Sequence, residues 1–120
     1  HTMVATLLEY CGLGLDDIDH IYLAGGFGTH IDLESAVTVG IYPDVDRKKM
    51  VLLGNTSLAG AKKLLLDAGQ MARVRHFLES SEYLHFSEME RFPENMVAAE
   101  FIPHTDGRLY PSVKRHPLQK

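Results

Sequence analysis

With 120 residues, 45% of them hydrophobic and 23% charged, the chain has the size and composition of one folded globular domain, expected to bury about 65% of its unfolded surface. Its net charge of -4 and pI of about 5.9 exclude a broad basic face for wholesale nucleic-acid binding and leave only local basic patches. No apolar run approaches the ~20 residues that cross a bilayer, no charged-then-apolar leader pattern follows His1, and a single cysteine, Cys11, can supply neither an internal disulfide nor the four thiolates of an iron-sulfur cluster.

The first predicted helix runs from Val4 to Cys11, with Val4, Leu7, Leu8 and Cys11 at i, i+3, i+4 and i+7, which makes Cys11 a core residue by spacing. Its end is marked by Gly12 and Gly14, whereas its start carries no capping residue, as expected of a start inside a larger protein. Asp16-Asp17-Ile18-Asp19 turns into a strand, Ile21 to Ala24, which runs straight into Gly25, Gly26 and Gly28. Asp32 is the predicted N-cap of a helix from Leu33 to Val39 that Gly40 stops, and Ile41-Tyr42-Pro43-Asp44 is a loop.

A second strand, Met50 to Leu53, ends in Gly54-Asn55 before a helix opens at Thr56 or Ser57. That helix carries Leu58, Ala61, Leu64, Leu65 and Ala68 on one stripe, is expected to pack on the sheet, and is expected to end at Gly69. An amphipathic helix follows with Met71, Val74, Phe77 and Leu78 on its apolar face. Tyr83 to Phe86 reads as a third short strand, Ser87-Glu88-Met89-Glu90 as a capping box, and Pro93 as the first turn of a helix through Phe101. Asp106-Gly107 is a turn, and residues 114 to 120 read as a solvated basic tail. Two strand-glycine-helix units in about 40 residues predict an α/β fold with a parallel sheet and a ligand cleft at its carboxyl edge.

Glycines at the end of a strand remove side chains, so a ligand can approach the main chain and meet its amides. Gly25, Gly26 and Gly28 therefore compete evenly between a ligand-facing turn and a purely structural one, and Gly54-Asn55 adds a second glycine turn beside the first if the strands are neighbours. Asn55 on its own is better explained by a left-handed turn conformation. The spacing is not G-x-G-x-x-G and no glycine turn is followed by Lys-Ser or Lys-Thr, so neither a Rossmann dinucleotide site nor a P-loop fits. The histidines show no metal-ligand spacing. His30 lies closest to the glycine turn, while Asp32 and Glu34 are explained by helix capping. No nucleophile-base arrangement or pair of catalytic carboxylates emerges.

Leu23-Ala24-Gly25-Gly26-Phe27-Gly28, Glu34-Ser35-Ala36, Gly40-Ile41-Tyr42-Pro43-Asp44, Gly54-Asn55-Thr56-Ser57-Leu58-Ala59-Gly60-Ala61 and Phe101-Ile102-Pro103-His104, in this order, resemble the C-terminal part of the reductive activators of corrinoid proteins. The resemblance implies half of an actin-like, ribonuclease H-like ATPase domain of the acetate and sugar kinase, Hsc70 and actin superfamily (ASKHA), with a short, mostly parallel sheet flanked by helices. It places a C-terminal subdomain at residues 1–104 and an extended tail at 105–120. Gly25, Gly26 and Phe27 match the adenosine motif, and Gly28, Gly54 and Asn55 complete the candidate cofactor-binding set. The implied cofactors are ATP with Mg and an iron-sulfur cluster in a part of the parent protein outside this chain. The implied role is support of Co(II)-to-Co(I) reduction of a corrinoid protein for methyl transfer, in the cytoplasm, with the N-terminal half of the same domain as a further partner and a homodimer left open. The first phosphate loop and the magnesium-coordinating acid of the superfamily belong to that other half, so no catalytic residue carries over and the chain alone is expected to be inactive. Two alternatives remain: a non-catalytic actin-like dimerisation or partner-binding domain, and the C-terminal lobe of a small-molecule kinase.

Overall fold

The computed structural model describes residues 1–114, with the backbone alone at residues 27 and 28. The helices are α1 (Thr2–Cys11), α2 (Phe27–His30), α3 (Leu33–Thr38), α4 (Thr56–Leu66), α5 (Gln70–Glu79) and α6 (Phe92–Ala98), and the strands are β1 (Ile21–Ala24) and β2 (Met50–Gly54). They divide into two compact units: one holds residues 1–20, 32–49 and the chain from His85 onward, the other residues 21–31 and 50–84.

In the first unit α1 packs against α6. The face that α1 turns to this contact is Thr2, Thr6 and Glu9. Thr2 Oγ1 donates to the Asn95 carbonyl, Thr6 is 4% exposed, and Arg91 pairs with Glu9 at 2.9 Å. This polar stripe displaces half of the predicted apolar one, Val4 remaining half-buried. Leu8 is buried, but Leu7 is largely exposed and Cys11 is exposed, so the expected core cysteine is a surface residue. Hydrophobic periodicity gives threonine no weight, and the helix is held by the side that such counting ignores.

Asp32 caps α3 as expected, its Oδ1 accepting from the Ser35 amide at 2.8 Å, and Ala36 and Val37 bury on the far side. Gly40 stops the helix with φ +80, and a Cβ there would lie 2.3 Å from the Pro103 carbonyl oxygen. Both the backbone angle and the close approach demand glycine. Gly40→Ala is therefore expected to cost about 2 kcal/mol or more, read as a lower urea midpoint at unchanged slope.

Three expectations fail around α6. Tyr83 to Phe86 forms no strand: the chain enters a single 3₁₀ turn at Phe86–Glu88, and the Phe86 ring stacks on Phe92 with centroids 5.4 Å apart. The aromatic content of that stretch anchors a turn to a helix, where alternation had suggested a sheet. Ser87 lies inside the turn, so the capping box does not form. α6 begins at Phe92 after Arg91 with no side-chain cap, uses Pro93 in its first turn as predicted, and stops at Ala98 short of Phe101.

Beyond residue 104 the chain stays within the first unit. Asp106 caps a 3₁₀ turn at Gly107–Leu109 by accepting from the Arg108 amide, so the predicted Asp106-Gly107 turn is present. Tyr110 is 2% exposed and donates its hydroxyl to the Tyr42 carbonyl at 3.2 Å. Asp44, its side chain 3% exposed, accepts from the Ser112 hydroxyl at 2.6 Å and from the Arg47 guanidinium at 2.8 Å. Arg47 also pairs with Glu34 at 3.0 Å. Burial works against the charge on Asp44, but the hydrogen bonds from Ser112 and Arg47 outweigh it and hold its carboxyl below the ordinary carboxylate range. Most of the predicted basic tail, residues 115 to 120, lies outside the described residues.

In the second unit β1 and β2 pair in parallel, Ile21 opposite Met50 and Leu23 opposite Leu52, with an irregularity that sets Ala24 opposite Gly54. Leu23 and Met50 are buried, and α2 rests on both strands. α4 departs from expectation. Leu58, Ala61, Leu65 and Ala68 are exposed, Leu65 at 88%, and only Leu64 is half-buried, so the stripe expected on the sheet is largely open among the described residues. Its neighbour is α5. α4 ends at Leu66, not at Gly69. Asp67 accepts from the Gly69 amide and from the Gln70 side chain, and Gly69 starts α5. One carboxylate thus closes one helix and opens the next.

Candidate functional site

The carboxyl ends of β1 and β2 lie side by side, joined by the Gly25 amide donating to the Gly54 carbonyl at 2.8 Å. This is the neighbourhood that the two glycine turns required. Gly25 has φ +100 and Gly54 φ +67, both in the left-handed region where a side chain is strained. A Cβ at Gly25, Gly26 or Gly54 would meet nothing within 4 Å. The corner is bare main chain facing open space.

The three glycines differ in what explains them. Backbone angle accounts for Gly25 and Gly54 whether or not anything binds there. Gly26 has no positive φ and no neighbour that a side chain would strike, so neither conformation nor packing within the chain demands glycine at that position. Phe27 and Gly28 open α2, and their side-chain surroundings lie outside what is described. Thr29 Oγ1 donates back to the Gly25 carbonyl at 3.4 Å, tying the short helix to the turn.

Asn55 is the N-cap of α4. Its φ is −81 and its Oδ1 accepts from the Leu58 amide at 3.0 Å. The left-handed conformation expected of it falls instead on Gly54, because the chain must reverse before the cap and glycine does so without a Cβ penalty. The first amides of the 11-residue α4 therefore sit directly after the second glycine turn.

His30 ends α2 and is exposed. Asp32 and Glu34 do the structural work described above, and the Ser35 hydrogen bonds hold the Asp32 carboxyl below its ordinary range. Among the described residues no three His, Cys, Asp or Glu side chains gather into a metal-binding group, and no helix is long and apolar enough to cross a membrane. The corner therefore leaves main chain open to approach at Gly25, Gly26 and Gly54.

A family model described as the C-terminal domain of RACo, the ASKHA domain, matches residues 1–114. The chain belongs to that family. It is 41% identical to the solved structure of a reductive activator for corrinoid, iron-sulfur protein, superposing with a TM-score of 0.87 over 93% of this chain and 18% of that one. It is 31% identical over 104 residues to the Co(II) methylated amine-specific corrinoid protein reductase of Methanosarcina barkeri, over 85% of this chain and 19% of that protein. The corrinoid activation enzyme RamQ of Eubacterium limosum is 32% identical over 67 residues, 56% of this chain and 11% of its own. The chain thus spans about a fifth or less of the relatives it matches. The α/β, actin-like half-fold inferred from the motif order is the fold of this family member.

What the sequence pattern missed in this unit is the pairing of α4 with α5, which brings Lys63 and Arg73 to one hollow. The two residues belong to different helices, so no single helical period links them.

Proposed function

We propose that the chain is the nucleotide-side part of an ATP-dependent activator that supports the reduction of a corrinoid protein from Co(II) to Co(I) for methyl transfer. The bare corner at Gly25, Gly26 and Gly54 carries this reading, because Gly26 has no explanation inside the chain and adenosine lying against it supplies one. The names of the relatives, an activator, a reductase and an activation enzyme of corrinoid proteins, favour it over a small-molecule kinase lobe or a purely structural domain.

In this reading residues 1–104 are the C-terminal subdomain of the ATPase domain, and residues 105–114 strap back onto it through Tyr110 and Ser112. Gly25, Gly26, Phe27 and Gly28 take the adenosine, with Gly54 and Asn55 shaping the neighbouring turn. ATP with Mg supplies the driving reaction, and the phosphate loop, the magnesium ligands and the iron-sulfur cluster belong to parts of a longer parent outside this chain. Cys11 is the only thiol here and is not part of a cluster-binding set. The partners are the corrinoid protein and the N-terminal half of the same domain, and the setting is cytoplasmic.

Two measurements test the reading. The parent protein is expected to hydrolyse ATP faster when its corrinoid protein is present, and no response sinks it. The 120-residue chain alone is expected to bind ATP weakly or not at all, since one wall of a cleft leaves most of a nucleotide in water. Micromolar affinity in titration calorimetry would show that the other half is not needed.

A further inference from the structure

α4 and α5 enclose an open hollow of about 360 Å³ lined by Lys63, Leu64, Gln70, Arg73, Val74 and Phe77. Its floor is apolar, and Phe77 is 68% exposed. Its charged lining is entirely positive. The Gln70 side chain is held on both sides, donating to Asp67 at 2.6 Å and accepting from Arg73 at 3.3 Å, which sets Arg73 in place over the hollow. The surrounding helices repeat the pattern. Residues 56–79 contain four of the chain's 12 lysines and arginines, Lys62, Lys63, Arg73 and Arg75, but only two of its 16 acids, in a chain of net charge -4.

We propose that this hollow is a docking groove for an acidic amphipathic helix of the corrinoid protein. The proposal rests on the functional reading above and adds the surface and the chemistry of its partner. An apolar hollow between two helices accepts the apolar face of a third. Lys63 and Arg73 at its edge are placed for carboxylates that flank such a face, and they repel a basic one. Positive charge at this face also favours encounter with an acidic partner, in a chain of net charge -4.

The test uses the full-length protein and its corrinoid protein, with binding followed by biolayer interferometry without ATP, so the readout does not depend on the nucleotide site. The double variant Lys63→Glu, Arg73→Glu is expected to weaken binding about tenfold or more, mainly through slower association, and to flatten its salt dependence. Phe77→Ala is expected to weaken it to a similar degree through faster dissociation. Lys48→Glu, in the other unit, is expected to leave affinity within about twofold, and circular dichroism checks that every variant is folded. Wild-type binding that all of these variants retain overturns the groove while leaving the functional reading intact. So does sedimentation showing that the variants break up a wild-type dimer, which makes a second copy the occupant. Failure of hydroxyl radicals to oxidise the Phe77 ring in the free full-length protein, read by mass spectrometry of its peptide, also overturns it, since the parent chain then covers the hollow. Wild type that neither binds the corrinoid protein nor responds to it in ATP hydrolysis removes the functional reading and this proposal together.

Discussion

Gly26→Val in the full-length protein is expected to lower ATP affinity about 100-fold or more, some 2.7 kcal/mol, and to abolish the ATPase response to the corrinoid protein. The chain itself has room for the new side chain. A Cβ at position 26 meets nothing within 4 Å, and the residue is not in the left-handed region. Stability is therefore expected to stay within about 0.5 kcal/mol of wild type, and loss of binding cannot be ascribed to misfolding. Gly25→Ala provides the contrast. At φ +100 it is expected to cost about 1–2 kcal/mol of stability whatever binds at the corner. A Gly26→Val protein that binds ATP normally in titration calorimetry would show that the bare corner serves something other than adenosine.

The corner was legible in the sequence because its causes are local. An apolar run ending in glycine, a second one about 30 residues later, and the capping residue Asp32 each act within four or five residues, and β1, β2, α3 and α4 begin close to where those signals lie, although Asn55, expected in a left-handed turn, is the cap of α4 instead. The order of the motifs, more than any one of them, carried the family. What could not be read depends on residues far apart in the chain. The polar stripe Thr2, Thr6, Glu9 is chosen by what α6 presents some 90 positions away, through Asn95 and Arg91. Asp44 likewise meets Ser112 across 68 positions, whereas Phe86 misleads over only six, its ring turning to Phe92 where its neighbours suggested a strand. The stripe on α4 was legible as apolar, yet its burial was not, because amphipathicity says that a face wants cover and not what covers it. The basic lining of the hollow was hidden for the same reason, Lys63 and Arg73 being spaced by no helical period.

The segment after residue 104 is where that distance costs most, and Tyr110→Ala is expected to destabilise the 120-residue chain by about 3–5 kcal/mol. Tyr110 is 2% exposed and sends its hydroxyl to the Tyr42 carbonyl, with the Gly40 carbonyl also within 3.4 Å. Removing the ring leaves a cavity beneath the loop that carries Asp44 and loosens the hold of Ser112 on that carboxylate. Tyr110→Phe keeps the ring and loses only the hydroxyl, so about 1 kcal/mol is expected. The two variants also part at high pH. Burial first, and then the nearby Asp44 charge, push the Tyr110 phenol up to about 12 from an ordinary 10.0. A folded-state value above the unfolded one means that the stabilisation is whole below the unfolded value and is lost as pH rises through the folded one. Wild type is therefore expected to lose stability between about pH 10 and 12 by more than Tyr110→Phe does, in urea unfolding followed by circular dichroism. Parallel curves for the two proteins across that window would show that the hydroxyl is not buried against these carbonyls, and that the strap is held by Ser112 and Asp44 alone.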